Sequence, residues 1–585
     1  MFKSKKIIKH ARKNAPFLHH WTLKRTLLHA MGLTLLFAVF WVLAAMGTLR
    51  TFLPNTFQFV GWPGEDKTYL ILFQNNAELR PTGGFLTAFA ILDFKNGLPH
   101  AIDFQDVYGE IDEHEYITPP YPLDVLLEKD SSTYAGHSFR DANFNPDFAQ
   151  SVDEILSFFY LVYPERSVDG VVAVNFSVLE EVIGLYEPLR VGQHKFTEVN
   201  LFESLENAVS DIDRHNLEAL SSRKGIIEKL AYTTLKKMIS NPWKWRELSE
   251  LVVQHLNEKE ILVQFANDAL SKKIADFGWD GTFPNPEEAA SDMLAVNIAN
   301  YGGMKSDRYL TRNVHYAIEI TDQFNEHGQP LIYGNLEVIL RHNGDYNVPL
   351  SGEYKGYLRA FIPAGSQLLE SSTGDSVQHL IPGYIGWGDT LLMQPGETKS
   401  FNYRFQLNPA FLEDDHYALT LIKQPGTGAD LYEVVVKTPI GGHVDAPHFD
   451  TRENVAFYQA NLDHDTTLAL QILPDELPPR LFWQELRQLD LIEISFAEPL
   501  DPSTAQDLLH YEVRDLNKNV PDIDDGQLFI DSVSVDRGAI LLRTRGMTIQ
   551  PEEHYEILIR NLRDQSGNHI QPNPRTVTVV QRLEE

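Results

Sequence analysis

The sequence predicts a multidomain protein: a single N-terminal transmembrane helix, an α/β or α+β head, a β-sandwich, and a further β-sandwich at the C-terminus. Three observations lead there. A basic segment precedes a charge-free apolar run, strand and helix patterns are mixed between residues 67 and 305, and from about residue 306 alternating strands separated by Gly, Pro and Asn replace the helical signal. The 585 residues are too many for one core, and 43% hydrophobic with 22% charged residues excludes a disordered or collagen-like chain.

Residues 1–25 carry eight basic side chains and no acidic one, and form the expected cytoplasmic segment. From Thr26 to Leu49 there is no charged residue when His29 is neutral. About 20 helical residues rising about 1.5 Å each cross a hydrocarbon core about 30 Å thick, so 26–49 is read as one membrane span. Positive charge packed before the span predicts a cytoplasmic N-terminus and an extracytoplasmic bulk, with the helix as the contact with membrane lipid. A cleaved signal peptide fits less well, because Ala44-Ala45-Met46 is a poor cleavage site. Residues 50–66, with Leu53-Pro54 and Trp62-Pro63-Gly64, read as a linker.

In the head, 67–305, Thr68–Phe73 is a continuous apolar strand of the kind buried on both faces. Phe85–Phe94 and Ala101–Val107 are strands joined through the turn pair Asn96-Gly97. Helical spacing follows at 148–161, then a strand at 170–175, a helix from Ser177 ending at Gly184, and several helices within 200–275. The sandwich, 306–472, is built from runs such as 314–320, 335–341, 357–362, 400–406, 417–422 and 432–436. A Pro-rich break at Leu477-Pro478-Pro479 opens the last module, 473–585, with short strands at 491–496, 511–513, 528–533, 539–544, 555–559 and 576–580.

Composition narrows the function. With 50 Lys plus Arg against 81 Asp plus Glu the net charge is −31, which argues against duplex nucleic acid as the partner, since phosphate binding needs a basic face. The absence of cysteine excludes disulfides, thiolate nucleophiles and Cys-ligated metals. There is no P-loop, no Gly-x-Ser-x-Gly elbow and no His-Glu-x-x-His.

The densest polar cluster is Gln74-Asn-Asn-Ala-Glu-Leu-Arg-Pro-Thr-Gly-Gly-Phe85. It follows the first buried strand, where α/β sheets bind ligands, and its Gly-Gly allows close backbone approach. Arg80 can grip phosphate or carboxylate with Asn75 and Asn76 beside it; alternatively the cluster is a buried turn whose Arg-Glu pair satisfies its own surroundings. In Arg140-Asp-Ala-Asn-Phe-Asn-Pro-Asp147, Asp147 or Asn145 caps the following helix, or else Arg140 joins Arg80 as an anion clamp with Asp141 or Asp147 holding a divalent cation. Asp515-x-Asn517-x-Asn519 begins like a calcium loop and then fails, with Val520 in place of the glycine.

These runs, with Val168-Asp-Gly-Val-Val-Ala-Val174, Asn300-Tyr-Gly-Gly-Met-Lys-Ser-Asp307 and Lys423-Gln-Pro-Gly-Thr427, resemble the bacterial domain-of-unknown-function family numbered four-thousand-twelve over roughly 67–440. That resemblance implies a membrane-anchored, exported protein and no established activity. The stretch 494–505, with Tyr555-Glu-Ile-Leu-Ile559 and Asp564-Gln-Ser-Gly-Asn568, resembles bacterial Ig-like modules of surface proteins, which implies a spacer or adhesion role. A remoter resemblance, carried by Asp169–Phe176 and Gly184–Val191, is to the LytR-CpsA-Psr phosphotransferases. It implies phosphotransfer from a polyprenyl-linked glycan and adds Arg223 and Lys224, which open a helix as that family's Arg-rich segment does; the family's Pro-Arg-Asp-Thr motif has no counterpart here. The preferred expectation is a cell-envelope protein that binds an anionic glycan or lipid-linked precursor. A metal-dependent glycan phosphotransferase and a structural or adhesion protein are the alternatives.

Overall fold

Among the described residues, alternating and continuous apolar runs form five sheets, accompanied by a smaller set of helices. A computed structural model describes residues 52–580 apart from short internal stretches, the longest being 127–135, 517–525 and 546–553. The chain is multidomain and mostly β. The basic segment 1–25 and the expected span 26–49 lie outside the described residues, and among the described residues no helix is long and apolar enough to cross a membrane.

The head is a five-stranded sheet built on β1 (Asp66–Arg80), β2 (Gly83–Lys95), β3 (Leu98–Asp106), β4 (Gly170–Asn175) and β5 (Ile261–Phe265), in the order β3-β2-β1-β4-β5. The β1/β4 pair is parallel and the other pairs are antiparallel. The parallel connection contains helix α1 (Phe148–Val162), whose Phe148, Val152, Ile155 and Phe159 pack on one face of the sheet with Val171 and Ala173. The opposite face carries Val172 and Val174 against Val178 of α2 (Phe176–Tyr186) and Leu256 of α4 (Trp245–Asn257). A strand covered on both faces has no solvent side, which is why Gly170–Val174 reads as an unbroken apolar run. Helix α3 (Leu217–Ser240) completes this helical side. The expected turn at Asn96-Gly97 is present, with both residues at positive φ.

Three expectations change. β1 does not stop at Phe73; it runs to Arg80 through two register irregularities, so the polar cluster lies within the strand rather than in a turn after it. α2 continues two residues past Gly184. Residues Asp292–Asn300, assigned to the head from sequence, form a strand (β6) of the sandwich.

The sandwich consists of a seven-stranded and an eight-stranded sheet. The strand Leu310–Phe324 contributes Val314, Tyr316, Ile318 and Ile320 on alternate positions to the space between them, facing Leu294, Val296 and Ile298 of β6. The same core contains Leu79, contributed by β1 of the head. The last module is a seven-stranded arrangement around Ile492, Ile494, Tyr555 and Ile557, with a strand Leu481–Gln488 that the alternation did not reveal.

Because Leu79 is a head residue buried in the sandwich core, it ties the two units directly. Leu79→Ala is expected to lower stability by about 2–5 kcal/mol, as for a buried Leu→Ala change. Urea unfolding would measure it, with a single cooperative transition splitting into two as the predicted sign of uncoupling.

Candidate functional site

The polar end of β1 meets the sandwich, and several of its buried polar groups find partners far away in sequence. Arg80, 2% exposed, donates from Nη2 to Glu78 Oε1 and to Asp141 Oδ1, both at 3.2 Å. Its Nη1 donates to the backbone carbonyls of Leu79 and Asn300. The guanidinium carbon lies 4.9 Å from the Phe85 ring centre and 4.7 Å from that of Tyr301. Burial opposes the Arg80 charge, but Glu78 and Asp141 outweigh it and hold the group protonated. Burial pushes the Glu78 carboxyl up, against the pull of Arg80.

Around this ion pair the motifs interlock. Asp307 accepts from the Leu79 N–H at 3.0 Å, from Asn300 Nδ2 at 2.7 Å and from the Tyr354 hydroxyl at 2.9 Å. Gln424 donates to the Arg80 carbonyl at 3.4 Å and brackets Ile298 from both sides. Asn143 donates to Gln74 Oε1 and to the Gly84 carbonyl. The Gly-Gly pair serves close approach of other parts of the chain: the Gly426 loop of the sandwich at Gly83, and the β1 backbone at Gly84. A Cβ on Gly426, at φ +77°, would stand 2.4 Å from the Gly83 carbonyl oxygen, and one on Gly84 would stand 2.3 Å from the Asn75 carbonyl carbon.

The sequence candidates therefore separate. Arg80 and Asp141 meet, and Arg140 reaches the same carboxylate at 3.4 Å. Asn75 folds its Oδ1 onto the Ala77 N–H. Asp147 caps α1 through the Gln150 N–H and also accepts from the Phe283 N–H, so its oxygens serve local structure, and burial raises its pKa. Among the described residues, neither Asp141 nor Asp147 belongs to a three-carboxylate or His group tight enough for one metal ion. Arg223 and Lys224 fall within α3, and their side chains lie outside the described residues. Asn517 and Asn519 also lie outside them.

Among the described candidates, Asn76 opens onto a cleft, a cavity of about 360 Å³ between head and sandwich. It sits beyond the C-terminal ends of the parallel pair β1/β4, the position where open sheets take ligands. Asn76 donates to Ser177 Oγ and to the Gly426 carbonyl, both at 3.3 Å, and Ser177 donates to Glu260 Oε2 at 2.8 Å. Lys423 Nζ reaches Glu260 Oε1 at 3.5 Å and donates to the Thr427 carbonyl at 3.0 Å. Burial pulls the Lys423 pKa down, with Glu260 opposing. His255, 1% exposed, makes no hydrogen bond from either ring nitrogen; Glu181 and Glu258 carboxylates lie at 3.3 and 3.7 Å. Sequence reasoning missed Glu260 and His255, which sit on no motif, and did not single out Lys423 within its motif. A larger shallow groove of about 510 Å³, lined by His315, Glu337, Arg404 and Glu433, lies on the seven-stranded sheet away from these motifs.

Residues 64–209 match the family model described as protein of unknown function (DUF4012). The DUF4012 match covers the head from β1 into the helix Leu201–Ser210, a shorter stretch than the 67–440 expected from the motifs. No curated protein matches the chain. Among solved structures, the N-terminal part of the bacterial S-layer protein SbsC is 15% identical over 18% of this chain and 24% of that one, with a TM-score of 0.15. Lin1025 from Listeria innocua is 9% identical over 37% and 79% of the two chains, with a TM-score of 0.21. An M1 zinc metallopeptidase from Deinococcus radiodurans is 11% identical over 32% and 46%, with a TM-score of 0.17. The chain spans about a quarter of the S-layer fragment, and overlaps this slight carry no argument about its function.

Two outcomes test the junction. Arg80→Met leaves Glu78 and Asp141 without their buried counter-charge and is expected to destabilise the protein by about 3–5 kcal/mol. Adding Glu78→Gln and Asp141→Asn should restore part of that loss in urea titrations. Burial also raises the Asp307 carboxyl to about 6 from its ordinary 3.8, so the native state holds that proton more tightly than the unfolded chain. Its contribution is then full below about pH 4 and lost as pH rises through about 6, a slope that Asp307→Asn should flatten in denaturation curves taken across that range.

Proposed function

We propose that this chain is a single-pass membrane protein whose extracytoplasmic part binds a hydroxyl-rich glycan, free or lipid-linked, in the cleft between head and sandwich during cell-envelope assembly, without catalysing a reaction. The observation that carries this reading is the division of labour at the junction. Arg80 is enclosed by Glu78, Asp141 and two aromatic faces, whereas Asn76, Ser177 and Lys423 line the cavity beside it. The carboxylates of Glu181, Glu258, Glu260 and Asp463 share that lining and disfavour a phosphate or uronate. Neutral sugar hydroxyls, which both donate and accept, suit carboxylates, amide and ammonium together. The anionic part of such a polymer would then lie outside the cleft.

The phosphotransferase alternative needs Arg80 and Arg140 facing one open pocket with a metal-holding acid, and Arg80 is committed elsewhere. A structural role is the second reading. It is favoured by the way Asn76, Leu79 and Arg80 of the head join Asn300, Asp307, Gln424 and Gly426 of the sandwich, with the last module, resembling an Ig-like spacer, extending the reach.

Calorimetric titration of the full chain in lipid nanodiscs with fragments of envelope glycans tests the choice. Binding with a Kd below about 1 mM that weakens roughly tenfold, equivalent to about 1.4 kcal/mol, in Asn76→Ala or Ser177→Ala supports the cleft. Binding indifferent to both variants would remove the cleft from the account, and no binding by any fragment would leave the structural reading.

A further inference from the structure

We propose that Asp475, Glu498 and Asp564 bind a calcium ion that fastens the connection between the sandwich and the last module. The three residues come from different segments. Asp475 follows the last sandwich strand, Thr466–Leu473, Glu498 follows Leu491–Phe496, and Asp564 follows His554–Ile559. One carboxylate oxygen from each lies within 4.8 Å of the other two. Three oxygens that close fit around a single ion with Ca–O distances of about 2.3–2.6 Å.

The wiring of the other oxygens indicates that the convergence is directed at something. Asp475 Oδ1 accepts from the Leu477 N–H at 3.0 Å, Glu498 Oε1 from the Arg480 N–H at 2.9 Å, and Asp564 Oδ1 from the Asn568 N–H at 2.8 Å. Each carboxylate is thus oriented by one backbone donor. Asp564 Oδ2, by contrast, is buried without a hydrogen-bond partner, and Asp564 as a whole is only 2% exposed; Asp475 Oδ2 is also buried and faces the Glu498 carboxyl with no N–H donor. A buried carboxylate oxygen without a donor is costly unless a cation satisfies it. A divalent ion would neutralise the three converging charges together.

The donors are all carboxylate oxygens, which selects a hard cation over zinc or copper. Asn568 Nδ2 donates to the Asp475 carbonyl at 2.9 Å, so the linker already rests against the Asp564–Asn568 turn. An ion there would convert that single hydrogen bond into a clamp on the orientation of the last module. Open carboxylate sites of extracellular modules bind calcium with Kd of about 10⁻⁴–10⁻³ M, a range suited to an exported chain.

The test titrates CaCl2 into metal-stripped full-length protein in detergent, following heat of binding and thermal unfolding. The wild type should bind one calcium in that range with a rise in Tm of several degrees, and with weaker binding of MgCl2. Asp564→Asn should weaken this site at least tenfold. Glu498→Gln, which keeps the shape of the protonated acid, should melt at or above the wild type without metal and yet lose most of the calcium-dependent shift. That variant decides the matter even if Asp564→Asn fails to fold. Equal calcium responses in wild type and Glu498→Gln, magnesium binding as tight as calcium, or no binding at 10 mM CaCl2 would each overturn the proposal.

Discussion

A buried guanidinium, neutralised by two carboxylates of the head and capped by a carbonyl and an aromatic face from the sandwich side, sets the relation between head and sandwich. Arg80 sits at the end of β1 and collects Glu78 from its own strand, Asp141 from the segment before α1, and the Asn300 carbonyl from β6. No one of those elements could bury the charge by itself. Taking an arginine out of water costs several kcal/mol, which the pair repays only where every donor and acceptor is in register. The contribution of such a network is therefore positional: it admits one docking of head on sandwich and makes misaligned ones expensive. Leu79, next in sequence and pointing into the sandwich core, adds the apolar part of the same joint.

The consequence for motion follows from the backbone contacts. The Gly426 loop of the sandwich approaches Gly83 so closely that no side chain fits between them, and Asn76 and Gln424 stitch the same boundary with hydrogen bonds in both directions. Opening this boundary would leave several buried groups without partners at once, which holds it rigid. The cleft beside them is accordingly largely preformed, and a ligand entering it spends little on ordering the walls.

Much of this fold was legible in the sequence, and the failures have a common physical origin. Alternation located the sandwich strands from Leu310–Phe324 onward because each has one face in the core, and the continuous run at Gly170–Asn175 was read correctly because both of its faces are covered. β1 was cut short at Phe73 because Gln74, Asn75, Asn76 and Glu78 look like loop residues. They lie in a strand only because Asn143, Asn175, Asp307 and Gln424, distant in sequence, satisfy the polar groups there. Local propensity carries no record of such partners. β6 was misassigned for the related reason that a strand's sheet is decided by its neighbours, not by its own pattern.

The site was legible in part, by the same logic. A cluster rich in Asn, Arg and Gly does mark a place where polar groups converge, but it does not say whether the groups face a ligand or another part of the chain. Here Arg80 faces the joint with the sandwich and Asn76 opens onto the cleft. Residues at even and odd positions of a strand project to opposite sides, and the irregularities in β1 at Phe73/Gln74 and Asn75/Leu79 reset that alternation twice within the motif. The resets let Arg80 turn into the joint while Asn76 reaches Ser177 at the cleft. Glu260 and Lys423 then complete the wall from α4's end and from the sandwich, segments joined to the motif only in three dimensions. A cleft assembled from residues of two separate motifs, Asn76 with Lys423 and Thr427, and from unmarked ones such as Glu260 and His255 is invisible to any reading that treats one motif as the site.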